Sequence, residues 1–336
     1  MSVLFSQPLT LRTDIAPPAH FLPLGNERGL SYAFGQKYPR FLSEYALRSH
    51  LALTLLRRRP AHDAIVTGRY GEFFAACQGL CPVGRRPHLL LDVEWPYRHA
   101  SGWRRALSRA LHRCIARGAW RIQVFCHAEA EHYSDYYGIA REKFVWLPYC
   151  TDLAPETYPA RDGDYIFSGG RQNRDYATLA AAVRGLPMRV RIAAPPENLP
   201  SACRAGNIDL LGCLKTDDFL RELAGARLVV LSLEDGLLRC PGVITYVSAM
   251  RLGKCIIVNE PRGAASYLTD GQTGVLVPPR DPQALATAIE KLWHDHERRQ
   301  WLADNARCHA LTHFGTARYL ADLERLCAAA LNPEAP

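Results

Sequence analysis

No run of about 18 apolar residues occurs in this chain, so no ordinary membrane-spanning helix is expected. The N-terminal stretch MSVLFSQPLTLRTDIAPP lacks a basic start followed by a long apolar core, and no signal peptide is expected. Internal repeats and low-complexity tracts are absent, which excludes solenoid and fibrous designs. Metal-ligand patterns are missing too. Cys77 and Cys81 are the only close cysteine pair, and no second pair or histidine cluster completes a zinc site. No Asp-x-Asp stands in a suitable loop; Asp217-Asp218 opens a helical segment and reads as its cap. The eleven cysteines are scattered, most of them inside apolar runs such as those around Cys126, Cys213 and Cys255. They read as buried, reduced thiols of a cytosolic protein.

What is present bounds the size and class. The 336 residues exceed one ordinary core and suit two domains of about 150 residues each. Apolar residues at 48% and charged residues at 22% are normal for a globular protein. Arginine far outnumbers lysine, and the net charge is +8. Such a surface suits a nucleotide diphosphate, an anionic lipid or nucleic acid, and charge alone does not choose among them.

Residues 1–18 show no clear period and end at Pro17-Pro18. Tyr45 to Arg58 has helical spacing, and AIVTG (64–68) and HLLLDV (88–93) read as buried strands. Trp103 to Ala116 is an amphipathic helix with Arg105, Arg109, Arg113 and Arg117 on one side. Trp103, Leu107, Ala110, Leu111 and Cys114 lie on the other. WRIQVFC is the next strand, and AEAEHYSDYYG is a helix capped by Gly138. Around 155–164 the apolar period lapses into PETYPARDGD, which marks a linker. Beyond it, DYIFSGG, MRVRIAA, IDLLG, ARLVVLS, KCIIVNE and GVLVPP alternate with helical segments, as parallel sheets with crossover helices do. The last of these helices starts at Asp281 with Pro282 in its first turn.

Several residues carry chemistry in this pattern. SGGRQNRDY (168–176) follows a strand and opens a helix; Gly169 and Gly170 let backbone approach a phosphate, and Arg171 and Arg174 suit the two phosphates of a nucleotide diphosphate. An ordinary strand-to-helix turn with two solvated arginines is the alternative. In CPGVITYVSAM (240–250) a glycine again leads into a helix, and the N–H groups of Gly242, Val243, Ile244 and Thr245 face outward as donors. Asp92 and Glu94 stand just past a strand and share one side if that strand continues. Either carboxylate, or His127 after the next strand, is a candidate base for an acceptor hydroxyl; structural hydrogen bonding is the alternative for each.

The order of these pieces resembles the group 1 glycosyltransferases, which have the GT-B fold: two Rossmann-like domains with parallel sheets facing a central cleft. The match is carried by Gly170-Arg171 with Arg174, by Ser248-Ala249-Met250-Arg251 followed by Gly253-Lys254-Cys255, and by TDGQTGVLVPPRDPQAL. It covers roughly residues 120–310. It implies an N-terminal acceptor domain at 1–157, a C-terminal nucleotide-sugar domain at 158–312, and a helix at 313–336 that packs back on the first. It also implies that Arg171 and Arg174 hold the donor diphosphate, that Leu214 packs on the base, and that Glu234 or Asp235 contacts the donor sugar. Ser248 stands where the family has a glutamate for the ribose hydroxyls. The family's glycine-rich first loop is not evident unless LGNERG (24–29) serves.

The expected protein is therefore a bacterial, cytoplasmic, metal-independent glycosyltransferase. It takes no cofactor, uses a UDP- or GDP-sugar as donor and a hydroxyl acceptor, and binds no nucleic acid. A nucleotide-sugar epimerase or phosphorylase on the same fold, or a degenerate non-catalytic subunit, are the alternatives. The arginine stripe at 105–117 adds an expected peripheral contact with an anionic membrane, on its inner face.

Overall fold

The computed structural model describes residues 1–7, 17–26, 39–95, 101–204, 206–236, 240–259 and 261–332, with positions 31, 33 and 36. The chain divides into two compact units. Unit 1 is Met1–Pro148 with Thr316–Pro336, and unit 2 is Tyr149–Gly315.

Each unit holds one six-stranded sheet, and every strand pair is parallel. The strands of unit 1 are β1 (Val3–Gln7), β2 (Phe21–Asn26), β3 (Ala64–Thr67), β4 (His88–Leu90), β5 (Arg121–Val124) and β6 (Phe144–Trp146). Those of unit 2 are β7 (Tyr165–Gly169), β8 (Arg189–Ala193), β9 (Ile208–Leu210), β10 (Leu228–Leu231), β11 (Ile256–Val258) and β12 (Val275–Leu276). Among the described residues the helices of eight residues or more are α1 (Arg40–Arg58), α2 (Glu72–Leu80), α3 (Gly102–Gly118), α4 (His127–Tyr137), α5 (Tyr176–Val183), α6 (Thr216–Gly225), α7 (Val243–Arg251), α8 (Pro282–His294), α9 (His296–His313) and α10 (Thr316–Leu331). The expected α/β class with two parallel sheets is thus present. Among the described residues no helix is long and apolar enough to cross a membrane.

Strand order decides where a ligand can sit. In unit 2 the order is β12-β11-β10-β7-β8-β9, so successive connections leave β7 in opposite directions. The crevice beyond the carboxyl ends of β7 and β10 is the topological switch point, where such sheets bind ligands. In unit 1 the order β2-β1-β3-β4-β5-β6 puts the equivalent point beyond β1 and β3. Strands β3 and β10 are buried at every position, as inner strands covered on both faces require.

Several features differ from the sequence reading. The aperiodic N-terminus forms β1 and β2. VLFSQ is too short to show a period, and β1 is held by pairing with β2 on one side and β3 on the other. Strand β4 stops at Leu90, and Asp92 takes a left-handed backbone, φ 54°. Asp92 and Glu94 therefore do not share a strand face: Asp92 is buried and Glu94 is exposed. Asp217 and Asp218 lie in the first turn of α6 and do not cap it; Asp217 accepts from the Tyr158 hydroxyl at 2.8 Å. Asp281 does cap α8, accepting from the Ala284 N–H at 2.9 Å, and Gly138 ends α4 with φ 64°.

Helix α3 is the largest departure. The Arg113 Nε donates to the Tyr137 carbonyl at 2.7 Å, and the Arg105 guanidinium lies 5.3 Å over the Tyr136 ring, so these arginines reach across α4. The supposed core side is open: Trp103, Leu107 and Leu111 are exposed. Cys213, expected inside an apolar run, is exposed as well, whereas Cys126 and Cys255 are buried.

Candidate functional site

The switch point of unit 2 is built around Arg174. Beyond β7 the chain turns through Gly170 (φ 138°) and Asn173 (φ 57°) before α5 begins. Asp175 caps that helix, accepting from the Thr178 N–H at 2.9 Å and the Thr178 hydroxyl at 2.6 Å. Arg174 folds back beneath the turn. Its Nε donates to the Gly169 carbonyl at 3.1 Å and its Nη1 to the Gln172 carbonyl at 2.8 Å.

The glycines of two loops make room for that guanidinium. A Cβ on Gly170 would overlap it, and a Cβ on Gly242, at the start of α7, would stand 3.4 Å from Nη2. Gly242 also has φ 79°, a conformation that favours glycine. Gly169 has a different reason: a Cβ there would meet the Phe219 ring. Burial lowers the pKa of Arg174, with Tyr176 and Tyr246 acting in the opposite direction. Guanidinium stays charged in proteins, so this is a half-buried cation. No carboxylate pairs with it among the described residues. The Tyr176 hydroxyl, pushed up to about 12 by burial, donates to the Gly170 carbonyl at 2.8 Å and holds the turn from below.

The other residues singled out in unit 2 fall into two groups. Arg171, Glu234 and Asp235 are exposed at the ends of the same strands. The Glu234 N–H donates to the Asn173 carbonyl at 3.2 Å, which ties the exit of β10 to the Arg174 turn. Asp235 pairs with Arg280 at 3.5 Å, both largely in solvent. Leu214 is half-buried in the loop after β9, where Gly212 has φ 68° and open space around it. In the first turn of α7, Ile244 is exposed, while the Val243 and Thr245 N–H groups donate to the carbonyls of Cys240 and Gly242. Ser248 is buried, and its hydroxyl donates to the Ile244 carbonyl at 2.6 Å, within its own helix.

Asn259 was not apparent from sequence. It is fully buried at the end of β11, where its Oδ1 accepts from the Leu233 N–H and its Nδ2 donates to the Ser232 hydroxyl at 2.8 Å. These two bonds hold the strand exit that leads to Glu234. The asparagine in KCIIVNE was the only available signal, and an asparagine after a strand is an ordinary turn residue.

In unit 1 the structure separates the three acceptor-side candidates. Asp92 is buried, with its N–H donating to Gln123 Oε1 at 3.0 Å. Its left-handed backbone is unusual for a residue other than glycine, and such positions collect at functional sites. Glu94 lies 2.8 Å from Arg69 in an ion pair. His127 opens α4, exposed, with its ring 4.8 Å from that of Trp146. Glu72, not singled out by sequence, accepts from Trp95 Nε1 at 3.0 Å and lies 3.9 Å from Arg48. Burial raises its pKa, and Arg48 and Trp95 lower it. The LGNERG segment lies mostly outside the described residues, as do 96–100 beyond Trp95 and 237–239 in the loop before Gly242. Among the described residues no group of three or more His, Cys, Asp or Glu is arranged to hold a metal ion.

Two parallel sheets covered by helices, one with a half-buried arginine between glycine turns at its switch point, define an α/β protein. Residues 204–309 match the family of the glycosyl transferases group 1, so the resemblance read from the sequence is borne out over that segment. The chain is also 27% identical over 171 residues to the alpha-D-kanosaminyltransferase of Streptomyces kanamyceticus. That match covers 50% of this chain and 38% of the other protein's length.

Among solved structures, HepE of Anabaena in complex with UDP superposes with a TM-score of 0.68 at 16% identity, covering 92% of this chain and 87% of that one. A glycosyltransferase from Rickettsia africae gives 0.66 at 13% identity, covering 88% and 83%. Sucrose-phosphate synthase from Thermosynechococcus elongatus gives 0.65 at 15% identity, covering 99% and 89%. At these identities the likeness establishes the fold.

Proposed function

We propose that the chain is a glycosyltransferase that moves a sugar from a nucleotide-sugar donor to a hydroxyl acceptor without a metal ion. The observation that carries this reading is Arg174, a half-buried cation at the switch point of unit 2 with no carboxylate partner among the described residues. A diphosphate would supply the matching charge. In this reading it lies against Gly170, Arg171, Arg174 and Gly242, with Leu214 beside the base and Glu234 and Asp235 toward the sugar. The family match over 204–309 supports it, and the Anabaena structure with UDP favours a uridine nucleotide over a guanosine one.

The chemistry follows from that placement. As the bond between the anomeric carbon and the diphosphate oxygen breaks, negative charge grows on the leaving phosphate. Cations already fixed around it stabilise that charge without reorganising. The acceptor oxygen bonds to the anomeric carbon, and its proton passes to a base. Asp92, Glu94 and His127 are the candidates, and the buried position and strained backbone of Asp92 favour it.

One observation favours a second reading, a non-catalytic nucleotide-binding subunit. Ser248 stands where the resemblance places a ribose-binding glutamate, and its hydroxyl is engaged within α7. The test is thermal stabilisation by nucleoside diphosphates and nucleotide sugars, with magnesium and with chelator, followed by turnover of the stabilising donor. A ligand of the native state raises Tm by mass action. Stabilisation that survives chelation, is lost in Arg174→Ala and is accompanied by sugar release supports the transferase. Stabilisation without turnover supports the second reading, and no stabilisation removes both.

A further inference from the structure

Helix α3 carries an apolar stripe on its outside. Trp103, Leu107 and Leu111 recur at i, i+4 and i+8, and are 72%, 62% and 50% exposed. Ala106 and Ala110 beside them are exposed too. The buried residues of the helix, His112, Ile115, Ala116 and Gly118, all belong to its second half. An ordinary surface helix does the reverse, turning its apolar stripe inward.

The charges around the stripe are of one sign. The helix holds Arg104, Arg105, Arg109, Arg113 and Arg117 and no acidic residue. None of the five forms an ion pair among the described residues. Beside the C-terminal half of α3, a pocket of about 360 Å³ is lined by Arg113, Arg117 and Lys143.

We propose that this face docks unit 1 on an anionic membrane surface. Helix α3 lies in the plane of the interface, with Trp103, Leu107 and Leu111 in the acyl boundary and Arg104 and Arg117, which flank that stripe at helical spacing, on lipid phosphates. Tryptophan suits that boundary, and arginine stems run along apolar surface while their heads meet phosphate. An anionic leaflet also attracts such a basic cluster. Charge argues against a second copy of the chain on the same face. Two copies of α3 would bring ten arginines together with no acid on either helix. The inference is independent of the donor site, because its readout is binding and not turnover.

The test is co-sedimentation of the full chain with vesicles of phosphatidylglycerol and phosphatidylcholine, against vesicles of phosphatidylcholine alone. Binding to the first and not the second is expected, and it should weaken with added salt. Leu107→Asn with Leu111→Asn should lower partitioning by about tenfold or more, since the apolar contribution goes while the charge stays. Circular dichroism and Tm of that variant should match the wild type. If it does not fold, Trp103→Ala in the exposed first turn reads the same contribution. Absence of binding to anionic vesicles at low salt would overturn the proposal, as would binding that neither variant weakens. A dimer dissolved by the leucine variant, without vesicle binding, would overturn it in favour of self-association.

Discussion

Unit 1 matches its charges beyond the strands: Glu94 lies 2.8 Å from Arg69, and Glu72 sits near Arg48 and under the Trp95 indole. Unit 2, on the same kind of six-stranded parallel sheet, leaves Arg174 resting on two carbonyls with no carboxylate partner among the described residues. Similar scaffolds thus differ in how the charges beyond their switch points are matched. A matched pair is already neutral and can orient or take a proton. A half-buried cation without a countercharge is a ready place for an anion. The contrast arises in the few residues after each strand, where parallel sheets keep their chemistry.

The largest expected effect breaks this contrast at its source. Arg174→Ala should weaken nucleoside diphosphate binding by about 100-fold, the scale for removing one side of a buried charge contact. Arg174→Lys should recover part of it by restoring charge without the two carbonyl bonds. Calorimetric titration of both variants with UDP measures each term.

Acid and alkali should separate the two units, with stability rising as pH rises through each window. His88 of unit 1 is fully buried against the Thr67 hydroxyl at 2.9 Å, and burial lowers its pKa to about 3. Its stabilising neutral form is secure above the unfolded value near 6.5. That contribution is lost as pH falls through the window from 6.5 to 3, by about 2 kcal/mol at pH 5. Lys254 of unit 2 donates to the Arg161 carbonyl at 2.6 Å, and burial lowers its pKa to about 8 against the opposing effect of Asp162. Charging it in the fold is unfavourable below pH 8. That penalty is relieved as pH rises toward 10, by on the order of 2 kcal/mol. Denaturant titrations across pH should show His88→Gln flattening the acid limb and Lys254→Met the alkaline one.

A smaller change sharpens the picture of the switch point. Asn259→Ala frees the Leu233 N–H and the Ser232 hydroxyl, and should cost about 1–2 kcal/mol of stability. KM for the donor should rise as well, because Glu234 hangs from the strand those bonds hold; steady-state kinetics at fixed temperature checks this. The smallest effect belongs to Ser248. Its hydroxyl serves its own helix, so Ser248→Ala should change nucleotide Kd by less than about twofold.

The repeating units of strand, helix and strand were legible because buried parallel strands are short apolar runs and glycine and proline punctuate them. ARLVVLS, KCIIVNE and DYIFSGG all appear as strands, and Gly138 and Asp281 end or start helices as their chemistry demands. The N-terminal strands were hidden, since VLFSQ owes its conformation to its neighbours in the sheet. Around the candidate site, Gly170 and Arg174 were visible as a motif. That Gly169 makes way for Phe219, and Gly170 and Gly242 for one guanidinium, was not.

By itself the sequence determined the α/β class and the loops that would hold glycines and charge, because these depend on neighbours a few residues apart. Only the tertiary structure decided which of those residues meet. Strand order brings the ends of β7 and β10 together from positions some sixty residues apart and half-buries Arg174 beside them. It also decided which side of α3 faces out. Helical spacing separates two faces but does not say which one a neighbouring helix will cover; in this chain α4 takes the arginines, and the tryptophan and leucines are left to solvent.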